Sequence, residues 1–325
     1  MRRSPGVIRD RSRPDALGTL LGRVRVDTGR FGRIELGAPW GVRLGPRDTV
    51  TLHHPLDGEM WLEADGPMLR IGPGDLVILP HGVPHSLKYR PDARVMAEEH
   101  WQSPLPENGL SVRRRFGGDG ARTVVLCAEL TLTGAARGLL MRALPPVIHL
   151  QPDAGGDPVP GLRRILDGLR EEVRDGRSAS PLLAARLVEV LLLQGIRAEL
   201  ERPAAAGTWR AALGDDRVGR ALDALYEAPG HPWTVAELAR VAGMSRTAFA
   251  PLFRELVGES PIAHLTGWRM ALAKTALCEQ PDLPVGRIAA SIGYSSEFAF
   301  SAAFRRVVGM PPGRYRATAG TTSTP

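Results

Sequence analysis

Near the C-terminus one short residue pattern occurs twice, as TVAELARVAGMSRTAFAPLFRELVGESP and as LPVGRIAASIGYSSEFAFSAAFRRVVGMPP. In each copy a serine can cap a following helix, and two phenylalanines four residues apart fall on one face of that helix. The opposite face is then free to present Arg, Thr, Ser and Glu side chains, which hydrogen-bond to base edges and phosphates. A short helix, a sharp turn and a second helix form a helix-turn-helix, whose second helix enters the major groove of DNA. The residues that match 51 positions apart are Ser245, Phe249, Phe253, Arg254, Val257, Gly258 and Ser296, Phe300, Phe304, Arg305, Val308, Gly309.

Local signals mark where the helices of each copy begin and end. Thr234 followed by Glu237 predicts a capping box that begins the first helix of the first copy. Gly243 and Gly293 stand where that helix ends and the chain turns, a position that favours positive φ. We therefore expect two helix-turn-helix units, joined by a long helix over IAHLTGWRMALAKTALCEQ.

Pro251 lies inside the second helix of the first copy. A proline there removes one backbone hydrogen bond and crowds the carbonyl of Thr247, which costs about 3 kcal/mol in a regular helix. The apolar pattern continues through it, at Phe249, Phe253 and Leu256. The sequence therefore predicts a helix over residues 246–256 that is kinked but present.

The segment from about residue 215 to 316 resembles the DNA-binding domain of the AraC/XylS family of bacterial transcription regulators. The resemblance is carried by WTVAELARVAGMSRTAF, ELVGESP, WRM, IAASIGYSS, AFSAAFRR and GMPPGRYR. It implies two helix-turn-helix units that enter successive major-groove segments on one side of the DNA. Their recognition helices would then lie about one helical turn of DNA apart, roughly 34 Å.

Carried over by position, the resemblance implies a set of DNA-contacting residues on the two recognition helices. Family members commonly have Arg or Gln where this chain has Pro251 and Ala302, so both units lack a long side chain at the same relative place. Arg254, Arg305 and Arg306 are expected to contact the DNA backbone. The full set is Ser245, Arg246, Thr247, Ala250, Pro251, Arg254, Ser296, Glu297, Phe298, Ser301, Ala302, Arg305 and Arg306.

The N-terminal half reads as short strands, since TVTLHH, EMWLEAD and MLRI are β-branched or alternating and are separated by turn sequences. Such a density of strands predicts a small antiparallel barrel or sandwich. Helical spacing follows from Leu162 to about Glu201, and the later part is apolar around much of its girth. A helix of that kind needs a packing partner, which is either another part of this chain or a second copy of it. We expect a homodimer.

Residues 15–150 resemble the cupin domain that precedes AraC-type DNA-binding domains, through APWGVRL, DGEMWLEADG, GDLVILPHGVPH, VVLCAELTL and LLMRALPPVIHL. Metal-binding cupins use three His and one Glu, and the resemblance leaves His54, Glu59 and His85 as a reduced ligand set for a divalent metal, because Leu52 replaces the other His. His53 is the alternative to His54, since adjacent strand residues face opposite ways. The competing interpretation is a barrel whose histidines are only hydrogen-bonded or exposed.

Some relatives with this arrangement respond to reactive oxidants through cysteine, which makes Cys127 a candidate redox residue. Its strand context favours burial, and a buried thiol is usually inert. Cys278 in TALCEQ is expected to be core. Two cysteines exclude a disulfide framework.

The predicted fold class is α+β multidomain, with an N-terminal cupin-like β-barrel, a helical linker and a C-terminal all-α double helix-turn-helix domain. The expected boundaries are a basic arm at 1–14, a cupin-like sensor at 15–155, linker or dimerisation helices at 156–212, the DNA-binding domain at 213–318 and a disordered tail at 319–325.

The net charge of +7 permits an anionic partner without proving one. No apolar run has the length of a membrane span and no secretory signal is evident, so a cytoplasmic location is expected. We predict a non-enzymatic, sequence-specific DNA-binding transcription regulator whose cupin domain senses an unknown small-molecule or redox effector, with RNA polymerase as a further partner. The alternative is a metal-binding cupin enzyme or sensor with a C-terminal module of weak DNA specificity.

Overall fold

The computed structural model describes residues 15–97, 114–151, 159, 161–175, 179–202 and 209–321. The chain forms two compact units, one rich in strands and one helical. Within the described residues, no helix has both the length and the apolar character needed to cross a bilayer.

The described residues of the strand unit form eleven strands in two sheets. One sheet has the order β11-β6-β3-β10-β1-β9 and the other β5-β4-β7-β2-β8. Most neighbours are antiparallel, but β9 pairs with β1, and β8 with β2, in parallel. The cupin-like strand domain is thus confirmed, although its described strands form two mixed sheets and not one closed antiparallel barrel. The strands are β1 (Arg25–Gly37), β2 (Gly41–Leu44), β3 (Val50–Asp57), β4 (Met60–Glu63), β5 (Leu69–Ile71), β6 (Leu76–Leu79), β7 (His85–Lys88), β8 (Met96–Ala97), β9 (Arg114–Gly117), β10 (Arg122–Thr133) and β11 (Ile148–Leu150).

The core of the strand unit draws on both sheets, because strand side chains alternate between two faces. Val77 and Val125 from the larger sheet pack with Leu62 and Leu87 from the smaller one. On β3, His53 lies between Val77 of β6 and Cys127 of β10 in the strand register, so it shares their face.

Two helices, α3 (Leu162–Asp175) and α4 (Ser180–Glu201), complete the strand unit and pack on each other. The backbone of α4 comes close to the larger sheet at Gly195, where an added Cβ would lie 2.2 Å from the Ile78 Cδ1 atom. A larger residue would therefore fit at this position only if the Ile78 side chain moved. Ile78 lies between Val77 and Leu79, which both face the core, so Ile78 points to the other face of the sheet, and α4 covers that face.

The helical unit comprises α1 and the helices that follow α4. Its second half has a core of residues from the long helix α9 and from α10 and α11, including Met270, Ile288 and Phe304. The short N-terminal helix α1 also belongs here and packs on α6 through buried residues that include Leu20. The helices are α1 (Ala16–Leu21), α5 (Trp209–Gly214), α6 (Asp216–Glu227), α7 (Val235–Val241), α8 (Arg246–Val257), α9 (Pro261–Glu279), α10 (Val285–Ser291), α11 (Glu297–Val308) and α12 (Pro312–Thr321); α2 (Arg137–Ala143) has residues in both units.

Candidate nucleic-acid interface

The first helix-turn-helix consists of α7 and α8. At the start of α7, the Thr234 hydroxyl accepts a hydrogen bond from the Glu237 N–H at 3.2 Å, and the Glu237 carboxylate accepts one from the Thr234 N–H at 2.8 Å. The predicted capping box is therefore confirmed. The turn passes through Gly243 at φ 70°, and the Ser245 hydroxyl caps α8 by accepting from the Ala248 N–H at 3.3 Å.

The second helix-turn-helix consists of α10 and α11 and repeats most of these features. Gly293 turns the chain at φ 85°, and the Ser296 hydroxyl accepts from the Ala299 N–H at 3.1 Å. Helices α8 and α11 each have 12 residues and end at a left-handed glycine, Gly258 at φ 88° and Gly309 at φ 87°. The start of α10 differs, since Pro284 is its N-cap and supplies no side-chain hydrogen bond.

Paired phenylalanines hold both second helices in place. The rings of Phe249 and Phe253 in α8, and of Phe300 and Phe304 in α11, are fully buried with centroids 5.5 Å apart in each pair. This burial confirms that one face of each helix is used for packing and fixes which face remains outside.

The exposed faces carry the residues that the sequence predicted. On α8, Thr247, Ala250, Pro251 and Arg254 fall within an arc of about 100° of the helix circumference, and the equivalent residues of α11 do the same. All eight are exposed or partly exposed. Below, the α8 arc means these four residues of α8, and the α11 arc means Phe298, Ser301, Ala302 and Arg305.

The remaining predicted residues flank the two arcs. Ser245 and Ser296 are the exposed N-caps, Arg246 and Glu297 are the first residues of the two helices, and Arg306 is exposed beside Arg305. Within the described part of the chain, none of Arg246, Arg254, Arg305 or Arg306 forms an ion pair. These guanidinium groups are therefore available to phosphates or base edges.

Pro251 does not interrupt the first recognition helix. Helix α8 runs without a break from Arg246 to Val257 with the proline inside it, so the predicted survival of this helix is confirmed. The proline side chain is exposed and occupies the place where the second unit has Ala302.

Two arginines that hold the C-terminal end of α7 and the turn before it were not predicted from the sequence. Arg220 of α6 donates to the carbonyls of Val241 at 3.3 Å and Ala242 at 2.9 Å, which lie at the C-terminal end of α7. Arg269 of α9 donates to the carbonyls of Pro229 at 2.7 Å and His231 at 2.8 Å, in the turn before α7. A cation at the C-terminal end of a helix stabilises that helix. Both arginines contact residues far away in the sequence, so no local sequence pattern predicts these contacts.

Of the predicted metal-site residues of the cupin unit, His53 and His54 point to opposite faces of the larger sheet, His85 lies on the smaller sheet, and Glu59 lies between β3 and β4. His53 lies inside the unit, whereas His54 faces the other way, with its Nδ1 2.8 Å from the Asp75 carbonyl oxygen. Burial lowers the pKa of His54 to about 4, which keeps it neutral. Glu59 is exposed and accepts a hydrogen bond from Arg70 at 2.9 Å. The expected set of His54, Glu59 and His85 is thus not assembled, and the described residues contain no group of three side chains that could hold a metal.

What the structure does bring together is Cys127, His53 and His85. The Cys127 Sγ lies 3.2 Å from His53 Nδ1, His53 Nε2 lies 2.9 Å from His85 Nε2, and His85 Nδ1 lies 2.9 Å from the Val83 carbonyl oxygen. Because a carbonyl can only accept, His85 donates from Nδ1 to Val83. In the tautomers in which both imidazoles are neutral, His85 accepts at Nε2 from His53, which in turn accepts from the Cys127 S–H. This hydrogen-bonded line crosses the interior from one sheet to the other.

The protonation states of this line follow from its burial. Desolvation lowers the pKa of His53 well below its ordinary value, and the nearby His85 and Arg47 lower it further. Burial raises the pKa of the Cys127 thiol to about 12, and the Glu129 carboxylate acts in the same direction. Cys127 is therefore a thiol and not a reactive thiolate near neutral pH. Cys278, expected in the core, is exposed.

Together, the strand-rich unit and the paired helix-turn-helix unit identify the class of protein, which is a DNA-binding regulator. Residues 15–201 match the cupin family and residues 238–318 match the helix-turn-helix domain family. The chain is 32% identical to an AraC-like transcription regulator of Streptomyces lividans, over 93% of this chain and 98% of that protein. It is 29% identical to the RCS-specific HTH-type transcriptional activator RclR of Escherichia coli, over 86% of this chain and 89% of the relative. The DNA-binding domain of AdpA, solved in complex with a target DNA, is 34% identical, with a TM-score of 0.29, over 31% of this chain and 88% of that one.

The chain belongs to the AraC family of transcription regulators, in the arrangement with an N-terminal cupin domain. It is a DNA-binding regulator, and its relatives are transcription regulators.

Proposed function

We propose that this regulator binds a specific duplex by placing α8 and α11 in successive major-groove segments, with the α8 arc and the α11 arc against the DNA. The observation that carries the proposal is the repeated geometry. In both units a buried phenylalanine pair turns an equivalent set of exposed residues outward. Two such helices on one rigid frame suit a pair of half-sites about one DNA turn apart.

The proposed roles follow from side-chain chemistry. Arg246 is long enough to donate two hydrogen bonds to guanine, whereas Glu297 can only accept, for example from the amino group of cytosine. Arg254, Arg305 and Arg306 neutralise phosphates. Thr247 and Ser301 contribute hydroxyl contacts, and the backbone N–H groups capped by Ser245 and Ser296 lie at the ends of the helices nearest the DNA.

The test is to select preferred sites from random duplexes with the full-length protein and then to measure affinities for them over a range of salt concentrations. Arg246→Ala should relax preference at one base pair, with a loss of about 1–3 kcal/mol on the preferred site. Arg254→Ala should weaken binding to all sequences alike and reduce the salt slope by about one. Arg164→Ala, which removes an exposed arginine of α3, is the matched control and should change neither. Failure of the wild-type protein to prefer any duplex would reject the proposal.

We further propose that two copies associate through α4. Leu183 and Val190 are one heptad apart on this helix and remain about half exposed, at 49% and 41%, with Leu182 beside them at 59%. A second copy of the same face would cover these side chains. Leu183→Asp with Val190→Asp should convert a dimer into a monomer in light scattering, whereas Met96→Asp, at an exposed apolar residue of β8, should leave the mass unchanged.

We propose that the cupin unit, in the cytoplasm, senses an effector and has no catalytic role. The Cys127–His53–His85 line is a polar feature of its interior, so an effector that enters between the sheets beside it must compete with these hydrogen bonds. Direct oxidation of Cys127 is the less favoured trigger, because its raised pKa suppresses the thiolate. Alkylation followed by mass spectrometry tests this: exposed Cys278 should react at least roughly 100-fold faster than Cys127. Comparable rates would restore a redox role for Cys127, and stoichiometric metal in elemental analysis would restore the metal-binding alternative.

A further inference from the structure

Phe298 is a large apolar side chain in a place where packing does not explain it. It is the second residue of α11 and is 86% exposed, more than any other large hydrophobic residue in the part of the chain that the structure describes. The other two phenylalanines of this helix, Phe300 and Phe304, are completely buried. Phe298 therefore contributes almost nothing to the folded core, and its exposure carries a solvation cost that a partner can remove.

The surroundings of Phe298 say which kind of partner. Ala302 lies one turn further on the same face, so the α11 arc presents an aromatic ring next to a methyl group. Arg305 continues the same face and Arg306 flanks it, both exposed. An apolar pair bordered by guanidinium groups matches a polyanion that displays a small apolar group between its phosphates.

The first unit carries the same type of surface at the equivalent positions. Thr247 corresponds to Phe298, and Pro251 corresponds to Ala302. Both first-unit side chains are exposed, so the Thr247 methyl group can contact the partner beside its hydroxyl, which lies 3.1 Å from the Ser245 hydroxyl. Each arc therefore presents a pair of apolar groups, from Thr247 and Pro251 or from Phe298 and Ala302, at a place where a long polar side chain could contact a base.

In the major groove of DNA, the C5-methyl group of thymine is an apolar group that A·T base pairs present and G·C base pairs lack, and Phe and Ala side chains recognise it by contact. We propose that Phe298, supported by Ala302, reads thymine methyl groups and so determines the specificity of the second half-site. The inference rests on the proposed function, in which α11 enters the major groove. It adds the chemistry that this helix recognises.

A protein partner is the other macromolecule that an exposed phenylalanine could serve. DNA is favoured because Phe298 lies in the first turn of the second helix of a helix-turn-helix, the part that contacts base edges. The test below separates the two.

The experiment replaces each thymine of a selected site, one at a time, by deoxyuridine, which lacks only the methyl group. Affinities of the full-length wild-type protein and of Phe298→Ala are measured by fluorescence anisotropy at one salt concentration. For the wild type, uracil should weaken binding about fourfold at one or two positions of one half-site, the factor expected for one buried apolar carbon. Phe298→Ala should bind the thymine site more weakly and show no difference between thymine and uracil at those positions.

Two further variants make the result specific. Phe298→Leu keeps an apolar contact and should retain part of the thymine preference. Val307→Ala removes another exposed apolar side chain of α11, 49% exposed and near the C-terminal end of the helix, and should retain all of it. Unchanged thermal unfolding of each variant shows that the helix is intact.

The outcomes are distinguishable from failure of the proposed function. If the wild type selects a site but tolerates uracil at every position, or if Phe298→Ala keeps the full thymine preference, the inference is wrong and the regulator assignment stands. Normal DNA affinity of Phe298→Ala together with lost transcription in a reconstituted assay would assign Phe298 to a protein partner instead. If the wild type selects no site, the proposed function itself has failed.

Discussion

The two helix-turn-helix units of this regulator have nearly the same frame and different exposed faces. Their second helices have equal length, the same serine cap, the same terminal glycine and the same buried phenylalanine pair. Yet the first begins with Arg246 and the second with Glu297, cation against anion. The apolar pair of the arc is small in the first unit and aromatic in the second.

The difference shows which positions the fold dictates. A buried ring, a cap and a left-handed glycine each satisfy a requirement internal to the unit, so both units meet it with the same residue type. Under the proposed function, an exposed side chain contacts the base pairs in front of it, and we expect these to differ between half-sites. Buried residues that agree between the units are then structural, matching exposed arginines such as Arg254 and Arg305 serve the phosphates common to every site, and exposed residues that disagree are the proposed determinants of specificity.

The largest effects on stability are expected when the buried rings shared by the two units are removed. Phe249→Ala and Phe300→Ala each remove a fully buried ring and should cost about 3–5 kcal/mol of unfolding free energy. Hydrogen exchange of peptides from α8 and α11 in the full-length protein measures the loss in each unit. Phe298→Ala, the same change at an exposed site, should cost less than about 0.5 kcal/mol. Similar losses of unfolding free energy at Phe298 and Phe300 would contradict the division into buried residues that stabilise the unit and exposed residues that do not.

Proline exchange tests the same division in the backbone. The first unit accommodates Pro251 inside α8, at the position where the second has Ala302. Ala302→Pro should therefore destabilise α11 by about 3 kcal/mol, and Pro251→Ala should stabilise α8 by up to a similar amount. Exchange protection of the helix containing each change is the measurement. A neutral effect of both substitutions would mean that the backbone at this position is not regular helix in either unit.

The features predicted correctly from the sequence are those set by short-range chemistry. The capping box at Thr234, the serine caps and the turn glycines depend on residues within four positions of each other, and the repeat made the serine caps and the glycines recognisable twice. The same repeat predicted the paired helix-turn-helix units, and the family resemblance supplied the cupin-like strand domain.

The features missed depend on strand pairing between distant segments. His53, His85 and Cys127 come from β3, β7 and β10, and they meet only because two sheets face each other. The sequence rule that His53 and His54 face opposite ways was confirmed, but it could not say which of the two faces inward. Of the two histidines named from the resemblance to metal cupins, the structure places His53 and not His54 next to His85, and Glu59 lies on the surface.

The opposed charges of the two recognition helices give a prediction of intermediate size. Glu297→Ala should remove discrimination at one base pair of the second half-site, worth about 1–3 kcal/mol, and leave the first half-site unchanged. Arg246→Ala should do the reverse. Competition between sites mutated in one half at a time measures both. If either substitution relaxes both half-sites equally, the two helices do not read separate segments.

The smallest expected effects come from the N-caps of the helices. The two units share a serine cap on their second helices, α8 and α11, and differ at the caps of their first helices, α7 and α10. Ser245→Ala and Ser296→Ala each remove a side-chain acceptor from the start of a recognition helix, and each should cost about 1 kcal/mol. Thr234→Ala should cost a similar amount because it dismantles the capping box of α7. Pro284→Ala removes no side-chain hydrogen bond, so a near-zero change of less than about 0.5 kcal/mol is expected for α10. Exchange protection in α7 and α10 distinguishes these outcomes. Equal losses at Thr234 and Pro284 would show that α7 and α10 are held by their packing and not by their caps. The two first helices would then be stabilised in the same way although their N-cap residues differ.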